Sequence, residues 1–267
     1  MQFASLNDIV VHYDFQRVAD EKPVLVFINS LGTDFRIWDE VRTRLHNDTS
    51  TLVYDKRGHG LSDIGNTPYT IKLLAADLIG LFERLSIKRA IICGLSVGGL
   101  IAQSIYAARP DLVTGLILSN TAHKIGTAEM WDARIAAIQQ DGLASILDTT
   151  MPRWFTPAYR RPDNPAYRAY CNMFVRQPLS GYMATCAALR EADLTEVAKH
   201  ISVPTLCLVG DQDGSTPPTL VRELASLIPG ADFSEIAASG HIPCVEQPDA
   251  YVTLLRNFLS NRFEHGE

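Results

Sequence analysis

The sequence predicts an α/β fold: a mostly parallel, doubly wound sheet with an all-helical segment inserted in it. Three observations carry this. Short, nearly continuous apolar runs recur at 24–28, 50–54, 90–93, 113–118 and 205–209, the pattern of strands buried on both faces. Helix-forming stretches lie between them, among them the amphipathic 73–85 and the proline-started 217–227. From 122 to 200 the strand runs stop, and only helical patterns separated by turns are legible.

In chain order, Phe3, Leu6, Val10, His12, Tyr13 and Phe15 surround a polar Asn7-Asp8 turn and read as an edge hairpin. A break at Asp20-Glu21-Lys22-Pro23 precedes the first buried strand, 24–28. The strand at 50–54, the helix at 73–85 and the strand at 90–93 follow, then an alanine-rich helix at about 97–109 and a strand at 113–118. Helices are expected within the insertion at 129–140, 145–148, 167–175 and 179–189, with a turn at Asp141-Gly142 and a proline-punctuated stretch at 157–165. Strand 205–209, helix 217–227, a short strand near 232–236 and helix 248–259 complete the sheet. The expected organisation is a core of residues 1–121 and 201–267 and a helical cap of residues 122–200. That cap carries Trp131, Trp154, Tyr159, Tyr167, Tyr170 and Tyr182.

The chain has 267 residues, 46% apolar and 20% charged, an ordinary globular balance that allows a large core. A formal charge of -6 gives no electrostatic footprint for nucleic acid or an acidic membrane surface. The first residues lack a basic start followed by a long apolar run, and no apolar stretch is long enough to span a bilayer. Cysteines 93, 171, 186, 207 and 244 are an odd, widely spaced set, mostly in apolar runs, which points to buried thiols and a reducing cytoplasm. In that compartment the Asn47-Asp48-Thr49 sequon carries little meaning. No His, Cys, Asp and Glu cluster has zinc spacing, and the glycines at 94, 98 and 99 form neither a dinucleotide fingerprint nor a P-loop, so neither a metal nor a cofactor is expected.

Chemistry concentrates at Gly94-Leu95-Ser96-Val97-Gly98, a G-x-S-x-G turn between a buried strand and a small-residue helix. At such an apex, side chains at 94 and 98 would collide with strand or helix, and the turn pushes the Ser96 hydroxyl outward. The Val97 N–H, at the positive end of the new helix, is then aimed at a developing oxyanion. A serine needs a base, and the base needs a carboxylate to hold its tautomer. Of seven histidines, His241 sits in a loop after the last strand and follows an acidic loop in the order nucleophile, acid, base. His12 belongs to the hairpin, His46 and His200 to helix ends and His265 to the tail; His59 and His123 are expected to approach the pocket rim. Of the two carboxylates in Val209-Gly-Asp-Gln-Asp213, Asp213 stands further into the loop and is the expected acid. Asp211, adjacent to the strand, reads as a turn-former. Asn120 carries no charge and is set aside as an acid. A second oxyanion donor is expected at the Leu31 N–H, where Gly32 lets the loop after the first buried strand turn back toward Ser96.

These residues resemble the α/β-hydrolase fold superfamily along essentially the whole chain. Ser96, Asp213 and His241 match its nucleophile, acid and base, and Asp55-Lys-Arg-Gly-His-Gly-Leu-Ser62 matches its D-x-R-G-x-G-x-S turn. Within it the sequence is similar to the 3-oxoadipate enol-lactonases, on Ile28-Asn-Ser-Leu-Gly-Thr33, Ser119-Asn-Thr-Ala-His-Lys-Ile-Gly-Thr127 with Trp131 and Arg134, Pro152-Arg-Trp-Phe155, and Ser239-Gly-His-Ile-Pro243 with Glu246-Gln-Pro248. The resemblance implies hydrolysis of a small anionic enol-lactone through an acyl-enzyme, with no cofactor. It also implies a pocket that receives a carboxylate, for which Arg134, Arg153 and Lys124 are the expected contacts, with Trp131 and Trp154 as walls around the ring. A general carboxylesterase or other small-lactone hydrolase is the alternative enzyme, and a catalytically silent binding module of the same fold is the alternative of another class.

Overall fold

The computed structural model describes residues 1–18, 23–46 and 48–263; the 20–22 part of the expected break, Asn47 of the sequon and His265 lie outside them. The strands are β1 (Gln2–Leu6), β2 (Ile9–Gln16), β3 (Val24–Ile28), β4 (Thr51–Tyr54), β5 (Ala90–Leu95), β6 (Val113–Ser119), β7 (Thr205–Gly210) and β8 (Asp232–Ile236). They form one sheet in the order β1-β2-β4-β3-β5-β6-β7-β8. The hairpin β1-β2 joins the sheet antiparallel through β4, and every later pairing is parallel.

The helices are α1 (Asp39–Leu45), α2 (Ile71–Arg84), α3 (Val97–Ala108), α4 (Ala128–Asp141), α5 (Leu147–Trp154), α6 (Pro165–Val175), α7 (Leu179–Arg190), α8 (Thr195–Lys199), α9 (Pro218–Leu227), α10 (Pro243–Glu246) and α11 (Pro248–Phe263). Their starts follow capping chemistry. The Thr70 and Thr127 side chains accept the Leu73 and Met130 N–H groups, and Asn164 caps α6 ahead of Pro165 at its first position. Against the core, α1 packs with α11 and α2 with α3, and α8, although it lies in the inserted segment, packs with α3 and α9. The sheet centre is correspondingly dry: Leu25 through Ile28 and Ala90 through Cys93 are all buried.

The chain between β6 and β7 holds α4 to α8 and, among the described residues, no strand. One boundary there differs from the expectation. The helix expected over 145–148 becomes a short 3-10 turn at Leu143–Ile146 followed by α5, which runs through Pro152 to Trp154. The proline deletes only the bond that would return to the Asp148 carbonyl, and Asp148 is exposed, so water can serve that group. Continuing to Trp154 is what brings the end of α5 to the site.

Candidate active site

β5 ends at Leu95 and α3 begins at Val97, which leaves Ser96 alone at the turn with φ 60° and ψ -118°, a conformation costly for a residue with a side chain. Neighbours hold it there. Its N–H donates to the Ser119 carbonyl at 3.0 Å, and its own carbonyl accepts from Thr121 Oγ1 at 2.6 Å and from the Gly99 N–H at 2.9 Å. A Cβ at Gly94 would lie 2.2 Å from the Gly98 carbonyl oxygen, and one at Gly98 would lie 2.4 Å from that of Ile28. Both glycines are therefore required by close approach of backbone. Val97, as the first residue of α3, has an N–H with no acceptor inside the helix.

Asp213 and His241 meet across two loops. His241 Nδ1 lies 2.9 Å from Asp213 Oδ2, with both side chains buried. If Nδ1 donates to the carboxylate, Nε2 is left as the free acceptor. His241 and Ser96 line one cavity of about 70 Å³. Asp213 also accepts from the Ser215 and Thr216 N–H groups, from Thr216 Oγ1 at 2.7 Å and from Asn120 Nδ2 at 2.9 Å. Burial pushes its carboxyl up, but His241 and these donors outweigh burial and hold it below the ordinary aspartate value. Asp211 instead accepts the Ser239 N–H at 3.0 Å and so ties the acid loop to the base loop. Asn120, set aside in the sequence for want of a charge, is a donor to the acid. Its place at the end of β6, beside β7, is the signal that could have revealed it.

The loop after β3 turns at Gly32, φ 76°, and brings Leu31 to the cavity wall. Two buried side chains brace it from behind: Lys56 Nζ donates to the Ser30 carbonyl at 2.6 Å, and His59 Nε2 accepts the Gly32 N–H at 3.1 Å. His59 is thus not at the pocket rim. It is fully buried, and burial, then the nearby Lys56, holds its ring well below the usual histidine range and hence neutral.

From the helical segment, Trp131, Arg134, Arg153 and Trp154 all line the cavity, together with Tyr182 and Thr150. The Arg134 guanidinium donates to the Tyr182 hydroxyl at 2.7 and 2.9 Å and to Thr150 Oγ1 at 2.9 Å; Arg153 Nε donates to the Gly214 carbonyl at 2.9 Å. Neither arginine pairs with a carboxylate among the described residues. Burial, then proximity to Arg134, makes Arg153 a weaker base than usual. Lys124 is not brought to the site. It is exposed, and its ammonium lies 3.4 Å from Asp193, since the chain entering α4 turns that side chain outward. His123 likewise faces Glu223, at 3.8 Å, and does not line the cavity.

Backbone bonds that no motif announces tie the end of α5 to the loops that carry Asp213 and His241. The Gly214 N–H donates to the Arg153 carbonyl at 3.1 Å and the His241 N–H to the Trp154 carbonyl at 2.8 Å. Glu246 accepts from the Gly240 N–H at 2.6 Å and from the Thr156 N–H at 2.9 Å, bridging the same two regions. A larger cleft of about 920 Å³, bordered by Asp34, Asp39, Tyr170 and Arg176, does not include Ser96; the smaller cavity is the one lined by Ser96 and His241. Among the described residues no group of three or more His, Cys, Asp or Glu side chains is arranged to hold a metal, and no helix is long and apolar enough to cross a membrane.

The chain as a whole has counterparts among known proteins. The 3-oxoadipate enol-lactonase 2 of Acinetobacter baylyi is 35% identical over 247 residues, 92% of this chain and 91% of that protein. The crystal structure of an enol-lactonase from Burkholderia xenovorans matches with a TM-score of 0.93 at 35% identity, covering 97% of this chain and 100% of the other. A thermophilic esterase from Thermogutta terrifontis, solved with malate bound, matches with a TM-score of 0.89 at 26% identity over 95% of this chain and 94% of its own. With the alpha/beta hydrolase family model matching residues 25–254 as well, the chain belongs to the alpha/beta hydrolase family.

Proposed function

We propose that this hydrolase opens 3-oxoadipate enol-lactone to 3-oxoadipate, with Ser96 as nucleophile, His241 as base and Asp213 as the group that orients it. The observation that carries the substrate assignment is the pair of guanidinium groups, Arg134 and Arg153, on the wall of the Ser96 cavity, neither of which forms a salt bridge with a carboxylate among the described residues. Two half-buried cations beside a nucleophile favour a substrate that brings its own negative charge. The cavity volume of about 70 Å³ suits a small ring better than a long acyl chain. Enol-lactonases among the relatives support the same reading.

The chemistry follows from the site. His241 Nε2 takes the proton of Ser96 Oγ as the oxygen attacks the lactone carbonyl, and the Leu31 and Val97 N–H groups hold the oxyanion. Asp213, kept ionised by its donors, balances the imidazolium. The acyl–oxygen bond then breaks, the ring oxygen leaves as an enol that takes a proton from His241, and the opened chain stays attached to Ser96. Relaxation of that enol to a ketone removes the nucleophile that would close the ring again. Water, deprotonated by His241, attacks the acyl-enzyme and releases the diacid. The segment 122–200 acts as a cap that closes the cavity and supplies the carboxylate site, with 1–121 and 201–267 as the core and the cytoplasm as the setting.

Steady-state hydrolysis of the enol-lactone beside a neutral aryl ester tests the reading. A kcat/KM for the lactone that exceeds the ester's, and an advantage lost when Arg134 and Arg153 are removed, is the expected result. Equal rates on both would favour a general carboxylesterase. Stoichiometric labelling of Ser96 by a fluorophosphonate is expected, and folded protein that takes no label would point to a silent binding module.

A further inference from the structure

Lys56 follows β4, is 1% exposed, and pairs with no carboxylate among the described residues. An ammonium taken out of water without a counter-ion is one of the more costly groups a fold can hold. The nearest acidic side chains are committed elsewhere: Asp55 to His12 and to the Phe35 and Leu61 N–H groups, Asp34 to Arg36. What Lys56 does reach is the Ser30 carbonyl, at 2.6 Å. Thr33 Oγ1 and the Thr33 N–H donate to the same oxygen, at 2.9 and 3.4 Å.

That carbonyl belongs to the same peptide unit as the Leu31 N–H. In a trans peptide the two groups point in opposite directions. With the oxygen turned inward to Lys56, the N–H is turned outward, and Leu31 lines the cavity that holds Ser96. We infer that Lys56 is a positioning residue for the oxyanion hole: from behind the Ser30–Leu31 peptide it fixes the peptide's plane and polarises it, making the Leu31 N–H a stronger donor to the charge that develops in the transition state. Donors that converge on a carbonyl strengthen the N–H at the other end of the unit, and where water is excluded the ammonium, when protonated, is little screened.

The electrostatics agree. Burial pushes the Lys56 ammonium down to about 7, against Asp55 and Asp34, the charged groups that face it and favour its protonated form. His59, the other titratable group behind the loop, stays neutral. A cation so disfavoured in the resting protein becomes favourable once an oxyanion forms on the other side of the peptide.

The inference rests on the assignment of Ser96 and the Leu31 N–H above, and the test separates the two. Lys56→Met and Lys56→Gln are compared with wild type for lactone turnover, for affinity toward a small alkyl boronic acid, which becomes a tetrahedral anion on Ser96, and toward the planar product diacid. Lys56→Met is expected to lower kcat by about 10- to 100-fold with KM nearly unchanged. Boronate affinity is expected to fall in proportion and product affinity to hold, and the thermal midpoint to stay level or rise as a buried charge is removed. Lys56→Gln, which keeps a donor but not the charge, is expected to lie between, and it carries the test if the methionine variant does not fold. Unchanged kcat and boronate affinity in folded variants would overturn the role of Lys56 alone, and so would boronate and product affinities that weaken together. If wild type shows no boronate binding that Ser96→Ala abolishes, the oxyanion assignment fails and this inference with it.

Discussion

The two walls of the Ser96 cavity are built by different means. On the core side the groups proposed for catalysis are the Ser96, His241 and Asp213 side chains with two backbone amides, and the turn that carries them is held where backbone approaches backbone: Ser96 at φ 60° is pinned by Ser119, Thr121 and Gly99, and Gly98 lies directly against Ile28. On the helical side the working groups are side chains. Arg134, Arg153, Trp131 and Trp154 reach in from α4 and α5, and their partners, Tyr182, Thr150 and Gly214, are hydroxyls and a carbonyl with no formal charge. An amide wall is generic to any acyl oxygen, whereas a wall of guanidiniums chooses among acyl groups. On the proposed function, reaction type belongs to the core and substrate choice to the inserted segment. The two meet at the Arg153 and Trp154 carbonyls, which hold the acid and base loops.

Substitutions on the core wall should lower turnover of every substrate, and the largest losses are expected there. Ser96→Ala should reduce kcat on lactone and neutral ester alike by about 10,000-fold or more. Asp213→Asn should cost about 10,000-fold, because His241 would lose the acceptor that sets its tautomer, whereas Asp211→Asn should cost less than about tenfold. A larger loss in the Asp211 variant, or equal loss in the two, would reverse the assignment. On the helical wall, Arg134→Ala and Arg153→Ala should each lower kcat/KM for the anionic lactone by about 10- to 100-fold and leave a neutral ester nearly untouched. If both substrates lose activity equally, the division between the walls is wrong.

Two smaller effects concern stability. Gly98→Ala would force a methyl group into the Ile28 carbonyl and should cost about 1–3 kcal/mol in denaturant unfolding. His59 gives a pH signature. Its folded-state value lies below the ordinary histidine value of 6.5, so below that pH the unfolded chain binds a proton that the folded chain refuses. Stability is then fully present above about 6.5 and declines as pH falls, by up to about 1.4 kcal/mol per unit. His59→Gln, which retains an acceptor for the Gly32 N–H, should flatten that decline; an unchanged slope would show that His59 is not its source.

The core wall was legible in the sequence because its constraints select residue types. Only glycine fits at 94 and 98, and the order of Ser96, Asp213 and His241 follows the order of the strands that carry them. The strands were legible for a similar reason, since runs buried on both faces cannot be polar. What stayed hidden depends on burial and on backbone partners. Asn120, Lys56 and Glu246 are ordinary polar residues until the fold encloses them, and the bonds from Gly214 and His241 to the α5 carbonyls leave no mark on side-chain identity. Lys124 fails for the converse reason. A charge at the entry to the helical segment says nothing about which way its side chain will turn, and Asp193 draws it outward.

On the proposed function, Arg134 and Arg153 turn a general acyl-hydrolysis site into one for a small anionic lactone. The most direct measurement is kcat/KM for 3-oxoadipate enol-lactone against a neutral ester of similar size, in wild type and in the double variant Arg134→Ala/Arg153→Ala. Wild type is expected to prefer the lactone by about 100-fold or more, and the double variant to lose most of that preference while keeping its ester activity. No lactone preference in wild type, or a preference that survives loss of both arginines, would contradict that reading.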